Sequence, residues 1–520
     1  MTSRQGYLLA LVVCLLCALL PPISRQDSHV GRMVLSAVAV ALVVFWAWAP
    51  TDRIRSGLRA ALIVAGVVGG FNYWQFDRNV FVGPGDVTDV TYYYLNSKYL
   101  AELDYDLLYS ALLAADEGRK TAHVRVVRDL TTDALQSRED AVARGHQLKA
   151  SRFTPERWEA FKHDSAFFLD RLSKDALADN FFVDHGYNPP STWTVLGKPI
   201  AAAVPVEALA WATHVDLLCV GLLFGAVVWG WGVDAALFAW LFFTVTFSGR
   251  WPILGQALLR FDWSAALILS TAAFNRGRHG LAGAALAFSA FNRVFPALWF
   301  LPWGADLLGT LWRDRRPTRA HLRFFGGAAA MSTLLIGCSL AMFGPATSRQ
   351  SVDNLLLHNE SFSSHRVGLA GVLVWRGETS RAEMRAAGGM APREIQVQGL
   401  MPSLRVLGLL AAAGVAVAVI RLRPGLGSAM AWPLLPFFIM TTPQMNYYNI
   451  RLLPVVWHAK NLDNPWHRAG LALLFTTEIV AHAAQVVGWE RHATTSLTSW
   501  MMLVWCVGLV VWLVRAAPRG

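Results

Sequence analysis

Two carboxylates stand three residues apart behind a turn in the stretch Gly83-Pro84-Gly85-Asp86-Val87-Thr88-Asp89-Val90-Thr91-Tyr92-Tyr93-Tyr94. If a helix begins there, Asp86 and Asp89 share a face. A carboxylate at a membrane rim can take a proton from an attacking hydroxyl, the work of a general base. Helix capping accounts for Asp86 equally well and for Asp89 less well, because an acid near a helix start satisfies free N–H groups. Tyr92, Tyr93 and Tyr94 also suit an interfacial aromatic belt.

Other polar groups could complete such a site. The stretch Asp184-His185-Gly186-Tyr187-Asn188-Pro189-Pro190 joins a polar, aromatic cluster to a rigid proline pair, and the prolines equally suit a helix N-terminus. Gln256, Arg260, Asp262 and Arg293 fall within or beside apolar blocks, where an ionisable group is costly unless partnered. Arg260 and Asp262 are two apart and would not face each other on a helix, so each needs another partner. His358-Asn359-Glu360-Ser361-Phe362-Ser363-Ser364-His365-Arg366 offers imidazoles, an amide, hydroxyls and a guanidinium, donors that suit a phosphate oxyanion. Asn359-Glu360-Ser361 also matches a glycosylation sequon. A late turn carries Asn446, Tyr447 and Tyr448. Glu478 and His482 have the spacing of a structural pair within one helix.

The elements that must hold these residues are membrane helices. Of 520 residues, 54% are hydrophobic and 16% charged, against roughly 25% charged in soluble chains. The apolar residues come in blocks near the length of about 20 residues that crosses a bilayer. The blocks start at 7–24, 32–50 and 57–75, resume at 207–230, and continue to 496–514, giving about 14 helices, several of them short. We therefore expect an all-α polytopic membrane protein. Its segments are 1–75 (N-terminal helices), 76–200 (first outer loop), 201–344 (central bundle), 345–402 (second outer loop) and 403–520 (C-terminal bundle). Within the first loop, Arg119–Arg144 and Pro155–Asp179 read as amphipathic helices at the membrane surface.

The net charge is +11, from 46 Lys and Arg against 35 Asp and Glu. The cations cluster in short segments between apolar blocks, which points to cytoplasmic loops and away from nucleic acid. With the N-terminus inside, Arg53, Arg55, Arg59, Arg313, Arg315 and Arg316 lie within, among many others, while the short outer segments hold far fewer. Both termini are then cytoplasmic, in an inner or plasma membrane, with 76–200 and 345–402 outside. All five cysteines lie within apolar blocks, where a thiol packs as a small hydrophobe. No H-E-x-x-H, D-x-D, Walker loop or G-x-S-x-G elbow is present, so neither a metal nor a nucleotide cofactor is expected.

Taken in order, these motifs resemble the polytopic C-type glycosyltransferases, and most closely family 87, the polyprenol-phosphate-mannose-dependent mannosyltransferases. The family's D-f-x-x-Y-Y is similar to Asp89-Val90-Thr91-Tyr92-Tyr93-Tyr94, and its Y-P-P to Tyr187-Asn188-Pro189-Pro190. Its G-Q resembles Gly255-Gln256, its K-x-x-P resembles Arg293-Val294-Phe295-Pro296, and its N-x-S resembles Asn359-Glu360-Ser361. The chain departs from it in carrying Arg for the family Lys, in the turn Thr442-Pro443-Gln444-Met445-Asn446-Tyr447-Tyr448, in its extra early helices and in an insertion over roughly 110–180.

The resemblance implies a C-type glycosyltransferase fold. The implied reaction moves a sugar, mannose by analogy, from a polyprenyl-phosphate donor to an envelope glycolipid or glycan acceptor at the outer face, with inversion and without a cofactor. Asp89 would be the base, with Asp86 in reserve. Tyr93, His185, Gln256, Arg293, His358, Asn359, Arg366 and Tyr447 would bind substrate. The chemistry agrees with the residue types, since transfer needs a base near the acceptor and a cation near the departing phosphate.

A lipid or oligosaccharide flippase would also use many helices, but transporters usually carry internal repeats and short outer loops. A non-catalytic subunit would have no need of Asp89 or Arg293. The orientation itself is testable. In a background without native Cys, a single Cys near Asp129 should react with an impermeant reagent from outside, and labelling from the cytoplasm would contradict the assignment.

Overall fold

The computed structural model describes residues 12, 24–48, 52–74, 83, 85–249, 251, 255–358 and 362–516; of the expected span at 7–24 all but residues 12 and 24, and residue Asn359, lie outside the described residues. The chain is mostly helical. Among the described residues, seven helices are long and apolar enough to cross a membrane. They lie within or over α1 (Arg25–Trp46), α2 (Asp52–Trp74), α8 (Val215–Trp231), α13 (Arg319–His358), α14 (Ala391–Leu422), α17 (Pro465–Val486) and α18 (Arg491–Ala516). On their outward faces apolar side chains remain exposed, as at Leu218 and Leu222 of α8, four residues apart on one helix face.

Between these long helices run shorter ones. They are α3 (Val87–Leu103), α4 (Leu108–Asp116), α5 (Arg138–Arg152), α6 (Pro155–Leu169), α7 (Ser191–Ala203), α9 (Val233–Val245), α10 (Asp262–Asn275), α11 (His279–Asn292), α12 (Leu301–Asp314), α15 (Leu434–Met440) and α16 (Leu452–Lys460). All of these are below the roughly 20 residues that cross a bilayer. Short, interrupted helices of this kind are tolerated at membrane depth where protein surrounds them.

The 76–200 segment folds differently from its expected form. Arg119–Arg144 is not one helix: β1 (Val126–Arg128) pairs antiparallel with β2 (Leu135–Ser137), and α5 starts only at Arg138. The β-branched Val126 and Val127 favour a strand, Asp133 turns the hairpin at φ 60°, and Ser137 caps α5 by accepting from Asp140 N. The Pro155–Asp179 region does begin as a helix, capped by Thr154, but α6 stops at Leu169. The second loop is also more helical than expected, because α13 continues past a kink at Gly344 (φ 78°) and Pro345 as far as His358.

α3 is the stalk around which the site is built. Residues Val90 to Ser97 are buried on all faces. Tyr92 bonds the Tyr109 hydroxyl at 2.8 Å and the Phe181 carbonyl at 3.0 Å. Tyr94 donates to the Val204 carbonyl at 2.8 Å, and Lys98 meets Asp164 at 2.7 Å. α11 packs on α13 through glycines. A Cβ on Gly283 would fall 1.8 Å from the Phe324 carbonyl oxygen, and one on Gly327 would fall 2.0 Å from that of Gly280. Between membrane helices, where lipid is as apolar as Leu, such close backbone approach replaces hydrophobic burial as the source of packing energy.

Glu478 and His482 do not pair with each other. Glu478 meets Arg451 at 2.6 Å with both side chains fully buried, and His482 donates from Nε2 to the Val245 carbonyl at 2.7 Å and meets His29 at 2.9 Å. Residues four apart point the same way, so each finds a partner on a neighbouring element. Removing one partner of a buried pair strands the other charge, at a cost of roughly 3–5 kcal/mol. Glu478→Gln should therefore lower the unfolding temperature in detergent sharply, whereas an unchanged melting curve would mean the pair contributes nothing.

Candidate functional site

The N-terminus of α3 is fixed to the loop before α10. Asp86 N–H donates to the Gln256 carbonyl at 2.8 Å. Gly85 lies at φ 84°, and a Cβ there would be 2.2 Å from that same carbonyl oxygen, so glycine is required twice over. Asp86 occupies the N-cap position of α3, yet its side chain makes no capping bond. The capping account of Asp86 therefore has no support in the geometry.

The loop 255–261 is held from beneath by one carboxylate. Asp216, fully buried near the start of α8, accepts from the N–H groups of Ala257 (3.0 Å), Arg260 (2.5 Å) and Phe261 (3.4 Å). Gln256 Nε2 adds a bond to the Thr213 hydroxyl at 2.8 Å. Leu258 and Leu259 take the left-handed conformation, at φ 59° and 56°. Such conformations for non-glycine residues persist where surrounding contacts over-determine them, and they cluster at functional sites.

This loop delivers Arg260 to Asp89, and the two form an ion pair. The Arg260 side chain is 6% exposed and that of Asp89 30%. The charge of Asp86 also acts on Arg260. Around the pair lies a polar cleft of about 30 Å³, whose walls include Tyr93, Asp184, Asn188, Gln444 and Tyr447. Burial pushes the Asp184 carboxyl up, against the opposing charges of His185 and Arg366.

The cleft has an apolar neighbour. A cavity of about 420 Å³ runs between the start of α7, the end of α11 and the kink of α13, lined by residues such as Pro190, Thr192, Phe291, Val294, Ile336 and Leu355. Its few hydroxyls are engaged, with Ser339 donating to Ser191 at 2.9 Å. The segment 187–192 is the shared wall: Tyr187, Asn188 and Pro189 face the polar cleft, while Pro190, Ser191 and Thr192 face the apolar cavity. Asn354 of α13 pins this wall by donating to the Tyr187 carbonyl at 2.8 Å.

Of the residues assigned a role in the site from sequence, Asp89, Tyr93 and Tyr447 line the cleft. Arg293 lies behind it at the junction of the two spaces. It donates to the Tyr93 hydroxyl at 3.2 Å and to the Asn292 carbonyl at 2.8 Å, with its guanidinium over the Tyr93 and Trp193 rings. Arg366 stands behind the Gln444 wall, bridged backbone to backbone with Gln444 and donating to the Thr442 carbonyl at 2.9 Å. Next to it, burial and the Arg491 charge push His365 down to about 4.

His185 turns away from the cleft and meets Asp133 of the hairpin at 2.7 Å. Gln256 acts on the loop and does not line the cleft. His358 ends α13, its side chain outside the described residues.

Asp184 and Asp216 are functional residues that sequence reasoning does not assign to the site: Asp184 carries no signal beyond its place beside His185, and Asp216 stands out only as an ionisable group within an apolar block. Among the described residues, no three His, Cys, Asp or Glu side chains gather to hold a metal. No protein-family model, no curated protein and no solved structure matches the chain.

The arrangement places a carboxylate, two guanidinium groups and several hydroxyls beside an apolar chamber. It can bind an anion whose attached group is apolar, and it holds a carboxylate where a proton could be taken. The geometry depends on Asp216. Replacing it by Asn sets an amide NH₂ against the loop N–H donors, a loss of roughly 1–3 kcal/mol for an unsatisfied buried donor. In Asp216→Asn, hydrogen exchange across 255–261 should speed up and ligand binding should fall; protection equal to the parent chain would refute the role.

Proposed function

We propose that this chain is an inverting membrane hexosyltransferase of the C-type fold, with about 14 helices in all. It would move a sugar, mannose on the family 87 resemblance, from a polyprenyl-phosphate donor to a glycolipid or glycan acceptor at the outer face of a cell membrane. The observation that carries this reading is the shared wall at 187–192, with a charged cleft on one side and an apolar cavity on the other. A polyprenyl-phosphate sugar has the same two parts in the same order. Its phosphate calls for Arg260 in the cleft and Arg293 behind it, and its hydrocarbon chain calls for the apolar chamber.

The reaction can be written over these residues. The acceptor hydroxyl oxygen attacks the anomeric carbon from the face opposite the phosphate. The bond from that carbon to the phosphate oxygen breaks, and polyprenyl phosphate leaves with the bonding electrons. The hydroxyl proton passes to Asp89, which lines the cleft with Tyr92 and Tyr93. Arg260 and Arg293 offset the charge that grows on the departing phosphate. No metal is required for a leaving group already this stable.

Asp89→Asn keeps the size of the side chain and removes the base. Loss of a general base typically costs 10²–10⁴-fold in rate. Sugar transfer from a synthetic polyprenyl-phosphate mannose should fall by that order in purified Asp89→Asn, with the variant still folded in detergent. A fully active Asp89→Asn would pass the role to Asp86, and full activity of the double variant would end the base assignment.

A further inference from the structure

We propose that the contact between Arg260 and Asp89 is a resting-state pair, and that the donor phosphate replaces Asp89 as the partner of Arg260. The inference rests on the transferase reading and concerns the order of events at the same cleft. Three observations carry it.

The first is space. A cleft of about 30 Å³ has room for about two waters, less than a phosphate and a sugar need. Asp89 and Arg260 both line this cleft and pair within it, so a donor headgroup has no room there while the pair is closed. The second is the state of the arginine. Arg260 is 6% exposed, and among the described residues its Nε has no hydrogen-bond partner. A guanidinium offers a fork of donors that a phosphate fills with two parallel bonds, and a buried donor left over is costly. The third is asymmetry of motion. Arg260 is fixed at its backbone through Asp216, while Asp89 is 30% exposed and can turn into water once released.

The consequence is a coupling between binding and activation. While paired, the Asp89 charge is spent on Arg260 and its lone pairs face a cation, so it is a poor base. When phosphate takes Arg260, Asp89 is freed as the acceptor arrives. The donor thereby prepares its own base, and an empty site holds it inactive. The same exchange makes Asp89 a competitor of the donor, so affinity is reduced by the fraction of time the pair is closed.

The test is binding of a short-chain polyprenyl phosphate to the full chain in detergent, by calorimetric titration, with the neutral polyprenol as comparison. Asp89→Asn should bind the phosphate more tightly than the parent, by roughly tenfold if the closed pair dominates. Arg260→Ala should bind it more weakly, and Arg260→Lys should recover part of the loss. The gain from Asp89→Asn should vanish in the Arg260→Ala background. A gain that persists there would reflect only removal of a negative charge and would overturn the exchange. Equal affinity of the parent and Asp89→Asn would overturn it too, leaving the transferase reading intact. Failure of the parent chain to prefer the phosphate over the alcohol would overturn both.

Discussion

A guanidinium that is taken out of water must be given an anion, a carbonyl or an aromatic face, and the helices here are arranged around arginines that receive one of the three. Arg451 meets Glu478 with neither side chain exposed. Arg293 rests over the rings of Tyr93 and Trp193. Arg260 faces Asp89. A buried charge pair is weak evidence of stability, since its desolvation cost offsets its attraction. One such pair, Arg260 with Asp89, sits in the polar cleft. That pair holds its acid and its cation together at the same point, which gives the site its chemistry.

The cleft owes its shape to a chain of dependences that begins far from it in sequence. Asp216 gathers three backbone donors of the loop 255–261. The loop then turns through two leucines in the left-handed region and presents both Arg260 and the Gln256 carbonyl. That carbonyl takes the Asp86 N–H, which needs Gly85 beside it. One buried carboxylate thus sets the start of α3, the direction of Asp89 and the seat of its partner. On the far side, Asn354 holds the wall that divides polar from apolar space. Neither chamber would have its boundary without the other.

The residues that could be read in advance were those whose meaning is local. Spacing puts Asp86 and Asp89 on one face if a helix begins at the Gly83-Pro84-Gly85 turn, and α3 does begin there, at Val87. Burial of Arg260 and Arg293 follows from their place in apolar sequence. What spacing cannot give is the partner, because Asp89 and Arg260 come from different elements and meet only in three dimensions. The left-handed Leu258 and Leu259 run against the preference of leucine, so no sequence rule announces them. The hairpin at 126–137 was hidden because its strands are three residues each and sit among helix-forming neighbours. The partner of His185 was out of reach for the same reason, because Asp133 belongs to that hairpin.

The central claim is that one lipid-linked phosphate occupies both spaces across the 187–192 wall. A cryo-electron microscopy map of the full chain with a polyprenyl phosphate bound tests it most directly. The account predicts phosphate density between Arg260 and Arg293, a hydrocarbon tail in the cavity beside Phe291 and Ile336, and Asp89 separated from Arg260. A headgroup bound elsewhere on the protein, or a tail in the cavity with the Asp89 pair still closed and no phosphate in the cleft, would contradict it.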